Sequence, residues 1–287
     1  QATPHLEAAA ADPAYAEAAA AVIDVLCATA GETDRAFANA QLARVLMAHE
    51  AWPLAAYALE QALLHNPRYA DAMAYLGLVR DQLGEDGLPA LNEAVALAPE
   101  NALVRYALGR HYALAGDYDA ALIALIQAAS LDPENPAILA ELSAAYRASG
   151  DLEHAVAWLK QAVAHDEGNG ALWGQLAALY ADTGYDLDGA GLAAINEALL
   201  LAPDLAEVHA SQGWALYQLG READALRALQ KALELDPADP RASYYYGVLL
   251  EVTGDTESAA AAYQSVLEGA PGSRWATLAA RGLDRLE

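Results

Sequence analysis

Of the 287 residues only one is a cysteine and only two, Lys160 and Lys231, are lysines. A single cysteine excludes a disulfide framework within the chain and a zinc cluster built on thiolates. Cys27 ends the apolar run Ala-Val-Ile-Asp-Val-Leu-Cys, where a small buried residue is expected rather than a nucleophile. Bases are scarce throughout: 15 against 40 acids, for a net charge of −25. Such a surface repels phosphate backbones and anionic headgroups, so no nucleic-acid partner is expected. The excess acid keeps an alanine-rich chain soluble; a basic partner is the second reading. No apolar stretch approaches the roughly 18 residues of a membrane span. Nothing reads as a strand, and only 7% of residues are aromatic. The chain begins at Gln1, so leader and compartment stay open: cytoplasm and exterior fit equally well.

What is present is helical periodicity and a repeat. Pro67, Pro99, Pro133, Pro203, Pro237 and Pro271 each close a helical run, at spacings of 32, 34, 70, 34 and 34. Glu167 holds the slot inside the double gap. Twelve residues before this position stands Ala55, Gly87, Ala121, Ala155, Gly191, Ala225 or Ala259. Eight before it stands Leu59, Leu91, Leu125, Leu159, Ile195, Leu229 or Tyr263. Five before it stands Ala62, Ala94, Ala128, Ala162, Ala198, Ala232 or Val266. These positions, at i, i+4 and i+7, share one face of a second helix. A first helix has its own small position at Ala43, Gly77, Gly109, Ser143, Ala177, Gly213 or Gly247. Just before that comes Leu42, Leu76, Leu108, Leu142, Leu176, Gln212 or Tyr246. Gly84, Gly116, Gly150, Gly184, Gly220 and Gly254 separate the helices, where a left-handed residue ends a helix without steric cost. One such pair cannot bury its face alone, so the units must stack.

This pattern resembles the tetratricopeptide repeat family. Trp173, Leu176, Ala177 and Tyr180 come close to its first-helix residues. Ala121, Leu125, Ala128 and Pro133 come close to the second half, with Leu in place of Phe. The resemblance implies an all-α, right-handed superhelical solenoid. Seven repeats are expected, at 36–69, 70–101, 102–135, 136–169, 170–205, 206–239 and 240–273. Residues 14–30 read as a degenerate helix within an N-terminal segment 1–35, whose first twelve residues are weakly specified. Residues 274–287, with Trp275, Leu278, Ala279 and Leu286 near one face, read as a capping helix. Glu50 replaces the turn glycine of the first repeat. The second repeat is two residues short and the fifth two residues long, both changes falling between helices.

The resemblance also implies a concave groove lined by the second, fifth, ninth, twelfth and thirteenth residues of each repeat. Its aromatic members here are Phe37, Tyr106, Trp214, Tyr217 and Tyr244, the last three in adjacent repeats. They are expected to hold a peptide or partner helix, or else to pack across the interior. Within Tyr244-Tyr245-Tyr246, Tyr246 falls at the large core position, Tyr244 in the groove and Tyr245 at its edge; Tyr263 is expected in the core. Arg44, Arg110 and Arg147 take groove positions in earlier repeats. They fit recognition of an acidic segment or a terminal carboxylate, or pairing with Asp71, Asp81 and Glu141. The lysine/asparagine clamp of one family subset is absent: its positions hold Ala40, Arg44, Asp71, Ala74 and Tyr75.

No catalytic, cofactor or metal site is expected. The seven histidines are scattered, without paired spacing and a third ligand. Asp186-Leu-Asp188-Gly189 fails as a calcium loop, since Gly184 and Ile195 stand at its first and twelfth ligand positions. The expected function is a non-catalytic scaffold for a protein or peptide partner. The alternatives are a docking or regulatory fragment of a larger enzyme or membrane-anchored protein, or a subunit that self-assembles.

Overall fold

The computed structural model describes residues 16–29 and 31–286. It forms two compact units, Gln1–Gly150 and Asp151–Glu287. In the first are α1 (Ala16–Ala28), α2 (Arg35–Ala48), α3 (Trp52–His65), α4 (Ala70–Gln82), α5 (Leu88–Leu97), α6 (Ala102–Leu114), α7 (Tyr118–Leu131) and α8 (Pro136–Ser149). The second holds α9 (Leu152–His165), α10 (Gly170–Thr183), a π-turn at Leu187–Gly191, and α11 (Leu192–Leu201). It continues with α12 (Ala206–Gln218), α13 (Glu222–Leu235), α14 (Pro240–Thr253), α15 (Thr256–Gly269) and α16 (Arg274–Leu286). No strand occurs among the described residues. The fold is the all-α repeat array that the periodicity implies. Of the helix expected over 14–30, residues 16–28 are observed; the segment 1–12, positions 14, 15 and 30, and Glu287 lie outside the described residues.

Local sequence sets the helix ends. Asp34, Asn101, Asn135, Asn169 and Asp239 cap first helices, and Asp117, Asp151 and Asp255 cap second helices, through side-chain oxygens that accept backbone N–H groups. Each cap is worth about 1 kcal/mol. All six turn glycines have positive φ, and so does Glu50, at 55°. An L-residue is strained there.

The core is a row of sockets. The residue eight before each repeat's closing proline, or before Glu167 in the fourth repeat, is at most 3% exposed in all seven repeats. A Cβ on Gly77, Gly109 or Gly213 would come within 2.5–2.6 Å of Cγ of Leu91, Leu125 or Leu229. The small position is therefore a hole on the first helix, and the leucine is its knob. First helices also pack on one another within each unit: α4 on α6, α10 on α12, and α12 on α14. The two irregular repeats share one solution, a second helix of only ten residues. In the second repeat Gly87 N donates to Asp81 Oδ1 at 3.1 Å to shape the longer turn. In the fifth, the two extra residues go into the π-turn after Asp186, whose φ is 42°.

Cys27 corrects its expectation: it is exposed. The last turn of α1 leaves Leu26, Cys27 and Ala28 exposed, while Ala19 is buried. An apolar run in a helix packed against α2 does not bury every member.

Candidate partner-binding surface

The second unit gathers aromatic side chains on the face formed by its first helices. Trp214 of α12 stacks on Tyr245 of α14, with centroids 4.3 Å apart and planes 6° from parallel. Tyr217, one turn on from Trp214, lies 5.2 Å from it. Tyr244 lies 6.0 Å from Tyr245 and 5.9 Å from Tyr263. Trp275, near the start of α16, meets Tyr245 edge-on at 5.4 Å and Tyr244 at 5.8 Å. Trp214, Tyr217 and Tyr244 are half-buried, so each ring keeps part of its surface open.

The tyrosine triplet sorts differently from its expectation. Tyr245, placed by the repeat at the groove edge, is the buried member, 3% exposed. Tyr246 is half-buried and packs against two core clusters. Burial costs Tyr245 little because its hydroxyl donates to Asp182 Oδ1 of α10 at 2.6 Å. Burial, then the Asp182 charge, push the Tyr245 hydroxyl well above the usual tyrosine range, so it stays a donor. Tyr263 is fully buried, as expected. Its ring fills the space that a Cβ on Gly247 or Gly282 would need, and its hydroxyl donates to Glu251 Oε2 at 2.6 Å. Arg285 of α16 grips the same carboxylate with Nε at 2.9 Å and Nη2 at 2.8 Å. That guanidinium, more than the Tyr263 hydroxyl, holds the Glu251 carboxyl below its ordinary range against the opposing effect of burial.

Two members of this surface escaped the sequence reading. Asp182 is the thirteenth residue of its repeat, a lining position, where the register marks it but its residue type carries no aromatic or cationic signal. Trp275 falls in the capping helix; carried one repeat further, the same count puts it at a second position, like Phe37. Arg274 sits 4.5 Å over the Trp275 ring and 4.0 Å from Asp182 Oδ2.

In the first unit the candidate residues are further apart in character. Phe37 is 40% exposed, and Arg44 is exposed with Nη1 on Gln41 Oε1 at 3.2 Å. Tyr106 is half-buried, and its hydroxyl is raised by burial. The Arg110 guanidinium lies 5.9 Å from the Tyr106 centroid and 3.6 Å from Glu141 Oε2. Asp71 accepts from Asn101 Nδ2 at 2.6 Å, while both oxygens of Asp81 lie 2.9 Å from His111 Nδ1. Arg110 thus takes the pairing expected as the alternative to ligand recognition, and Asp71 and Asp81 are engaged by other donors. Arg147 is half-buried on α8. Among the described residues no helix is long and apolar enough to cross a membrane.

Family models described as tetratricopeptide repeat match residues 84–136 and 210–274, and a second such model matches 112–180. Together these stretches make up more than half of the chain. A tetratricopeptide protein of Thermus thermophilus is 24% identical over 63% of this chain and 98% of its own, with a TM-score of 0.55. Yeast Tom70 is 17% identical over 93% of this chain and 59% of its own, TM-score 0.57. The human IFIT1 dimer, solved with m7Gppp-AAAA, is 16% identical over 88% of this chain and 68% of its own, TM-score 0.63. At these identities the likeness is one of fold. No curated protein matches the chain.

Proposed function

The chain belongs to the tetratricopeptide repeat family, and on that premise we propose that it is a non-catalytic scaffold holding a segment of a partner protein. The segment lies on the first-helix face of the second unit, against Trp214, Tyr217 and Tyr244. The observation that carries this reading is the continuity of the aromatic surface: rings from α12, α14 and α16 in mutual contact, with Trp214, Tyr217, Tyr244 and Trp275 half-buried around the buried Tyr245. Rigid aromatics with one open edge supply large contact area at little entropic cost.

The test is affinity capture from a lysate of the source organism. Wild type is compared with a Trp214→Leu/Tyr217→Ala variant shown by circular dichroism to be folded. A partner held by the wild type and lost by the variant supports the reading. A partner held equally by both overturns this placement.

Self-assembly has one observation of its own. Leu54, Tyr57 and Leu64 form an exposed row along α3, at 60%, 62% and 71% exposure. Light scattering that shows a monomer at high concentration removes this second reading.

A further inference from the structure

The sixth repeat departs from the pattern at Gln212, Arg221, Arg227 and Lys231, and these residues meet in one cleft of the second unit. With Asn196 of α11 and His209 of α12 they line a cavity of about 460 Å³. Arg221, Arg227 and Lys231 lie sixteen, ten and six residues before Pro237, and none of the other six repeats has a base at any of these positions. The clustering stands out in a chain with 15 bases against 40 acids. Two of the departures work against the fold. Gln212 is half-buried where five repeats have leucine. Arg221 begins α13 where Asp117, Asp151 and Asp255 cap α7, α9 and α15, and α13 has no side-chain cap. A cation there also opposes the helix dipole. Local rules broken together around one cavity mark a site rather than a packing solution.

The cations are engaged but not saturated. Asp224 Oδ2 accepts from Arg221 Nε at 3.0 Å and Nη2 at 2.6 Å, and Oδ1 accepts from Arg227 Nη2. Lys231 Nζ donates to the exposed Glu234 at 3.4 Å, and His209 Nε2 lies 2.7 Å from Pro203 O. A guanidinium has more donors than these bonds use. One carboxylate shared by two guanidiniums also leaves positive charge over. Neither the Gln212 nor the Asn196 amide is hydrogen-bonded among the described residues.

We propose that this cleft binds a phosphate group, free or carried on a phosphorylated side chain. Asp224 stays in place and holds the two guanidiniums apart; their outer N–H groups, Lys231 Nζ and the amide of Gln212 receive the oxygens. Arginine forks suit a tetrahedral oxyanion, and the ammonium adds charge. The chain's −25 repels a polyanion from a distance but leaves a single phosphate to the local field. The cleft contains none of Trp214, Tyr217 and Tyr244, so the proposal stands apart from the partner-binding reading.

The probes are inorganic phosphate and the phosphopeptide Gly-pSer-Gly, with unphosphorylated Gly-Ser-Gly beside them. They are titrated into the full chain at constant pH and ionic strength, and the side-chain amide signals of Gln212 and Asn196 are followed by NMR. Saturable shifts are expected with both phosphates and none with Gly-Ser-Gly. Arg227→Gln/Lys231→Gln is expected to weaken phosphate by at least about tenfold. Arg68→Gln/Arg281→Gln removes the same charge from exposed positions elsewhere and is expected to change affinity by less than about twofold. Gln212→Leu restores the residue of the repeat, read on the Asn196 signal: it should keep or raise the urea midpoint yet weaken phosphate by about threefold. A purely structural Gln212 would not move the affinity. Circular dichroism of each variant separates lost binding from lost fold. Tighter binding of Gly-pSer-Gly than of inorganic phosphate assigns the group to a phosphorylated segment; equal or weaker binding assigns it to the free ion. The absence of a saturable shift with phosphate, equal weakening by the two double variants, or binding of Gly-Ser-Gly as well as Gly-pSer-Gly overturns the site.

Discussion

The first-helix faces of the two units are built from the same repeat and finished differently. In the first unit a cleft of about 480 Å³ lies against Met47, Trp52, Asp81, Arg110, Leu114 and Glu141. Its polar groups are engaged by protein partners: Arg110 pairs with Glu141, and the Asp81 carboxylate meets His111 Nδ1 at 2.9 Å. In the second unit the corresponding positions carry rings that pack on one another. The contrast shows how one scaffold makes two surfaces. A face whose charges are mutually satisfied offers a ligand little, because binding there must first break existing pairs. A face of packed rings offers contact area without such a cost.

The largest change is expected at the base of the aromatic surface. Tyr263→Ala empties the socket between Gly247 and Gly282 and should cost about 3–5 kcal/mol in urea unfolding. Leu125→Ala, the same knob in the first unit, should cost about 2–5 kcal/mol, while the rings of the second unit keep their near-UV circular dichroism. Loss of that signal would mean that the two surfaces do not rest on separate cores.

Next comes the chemistry of the second unit alone. Tyr245 and Tyr263 both have hydroxyls raised above the usual 10.0, chiefly by burial. A raised acid contributes stability that is complete below its unfolded value and lost as pH rises beyond it. Stability should therefore fall above pH 10, and these two phenols should ionise only with unfolding, seen as a late phase in phenolate absorbance. The carboxyl of Glu251 is depressed below 4.5, first by Arg285. Its contribution is present above about pH 4.5 and lost as pH falls through its folded value. Glu251→Gln should flatten that acid limb. Because the Arg285 side chain is half exposed, the coupling in a double-mutant cycle should be about 1 kcal/mol or less.

The smallest effects belong to the first unit. Arg110 and Glu141, 40% and 28% exposed and 3.6 Å apart, should couple by about 0.2–1 kcal/mol at low salt and less at high salt. Glu50→Gly relieves a left-handed residue and should stabilise by about 0.5–1 kcal/mol, read as a small rise in the urea midpoint.

Much of this molecule is legible in its sequence because the repeat restates the same constraint seven times. Small residues, knobs and turn glycines all sit where the count from each proline puts them. The site is less legible, since it depends on single departures from the pattern. Tyr245 is buried because one carboxylate, sixty-three positions away in sequence, accepts its hydroxyl. No periodicity encodes that pairing. Trp275 was hidden by reading α16 as a cap alone, although the same register continues into it. Cys27 misled through composition, because an apolar run does not tell which of its faces meets a neighbour.

The most direct measurement takes the captured partner and compares its affinity for two single variants, Trp214→Leu in the second unit and Arg110→Ala in the first. The account predicts at least a tenfold loss with Trp214→Leu, the size expected of an aromatic anchor, and less than a twofold change with Arg110→Ala. A partner that ignores Trp214→Leu and is lost with Arg110→Ala would contradict it and place binding on the paired charges of the first unit.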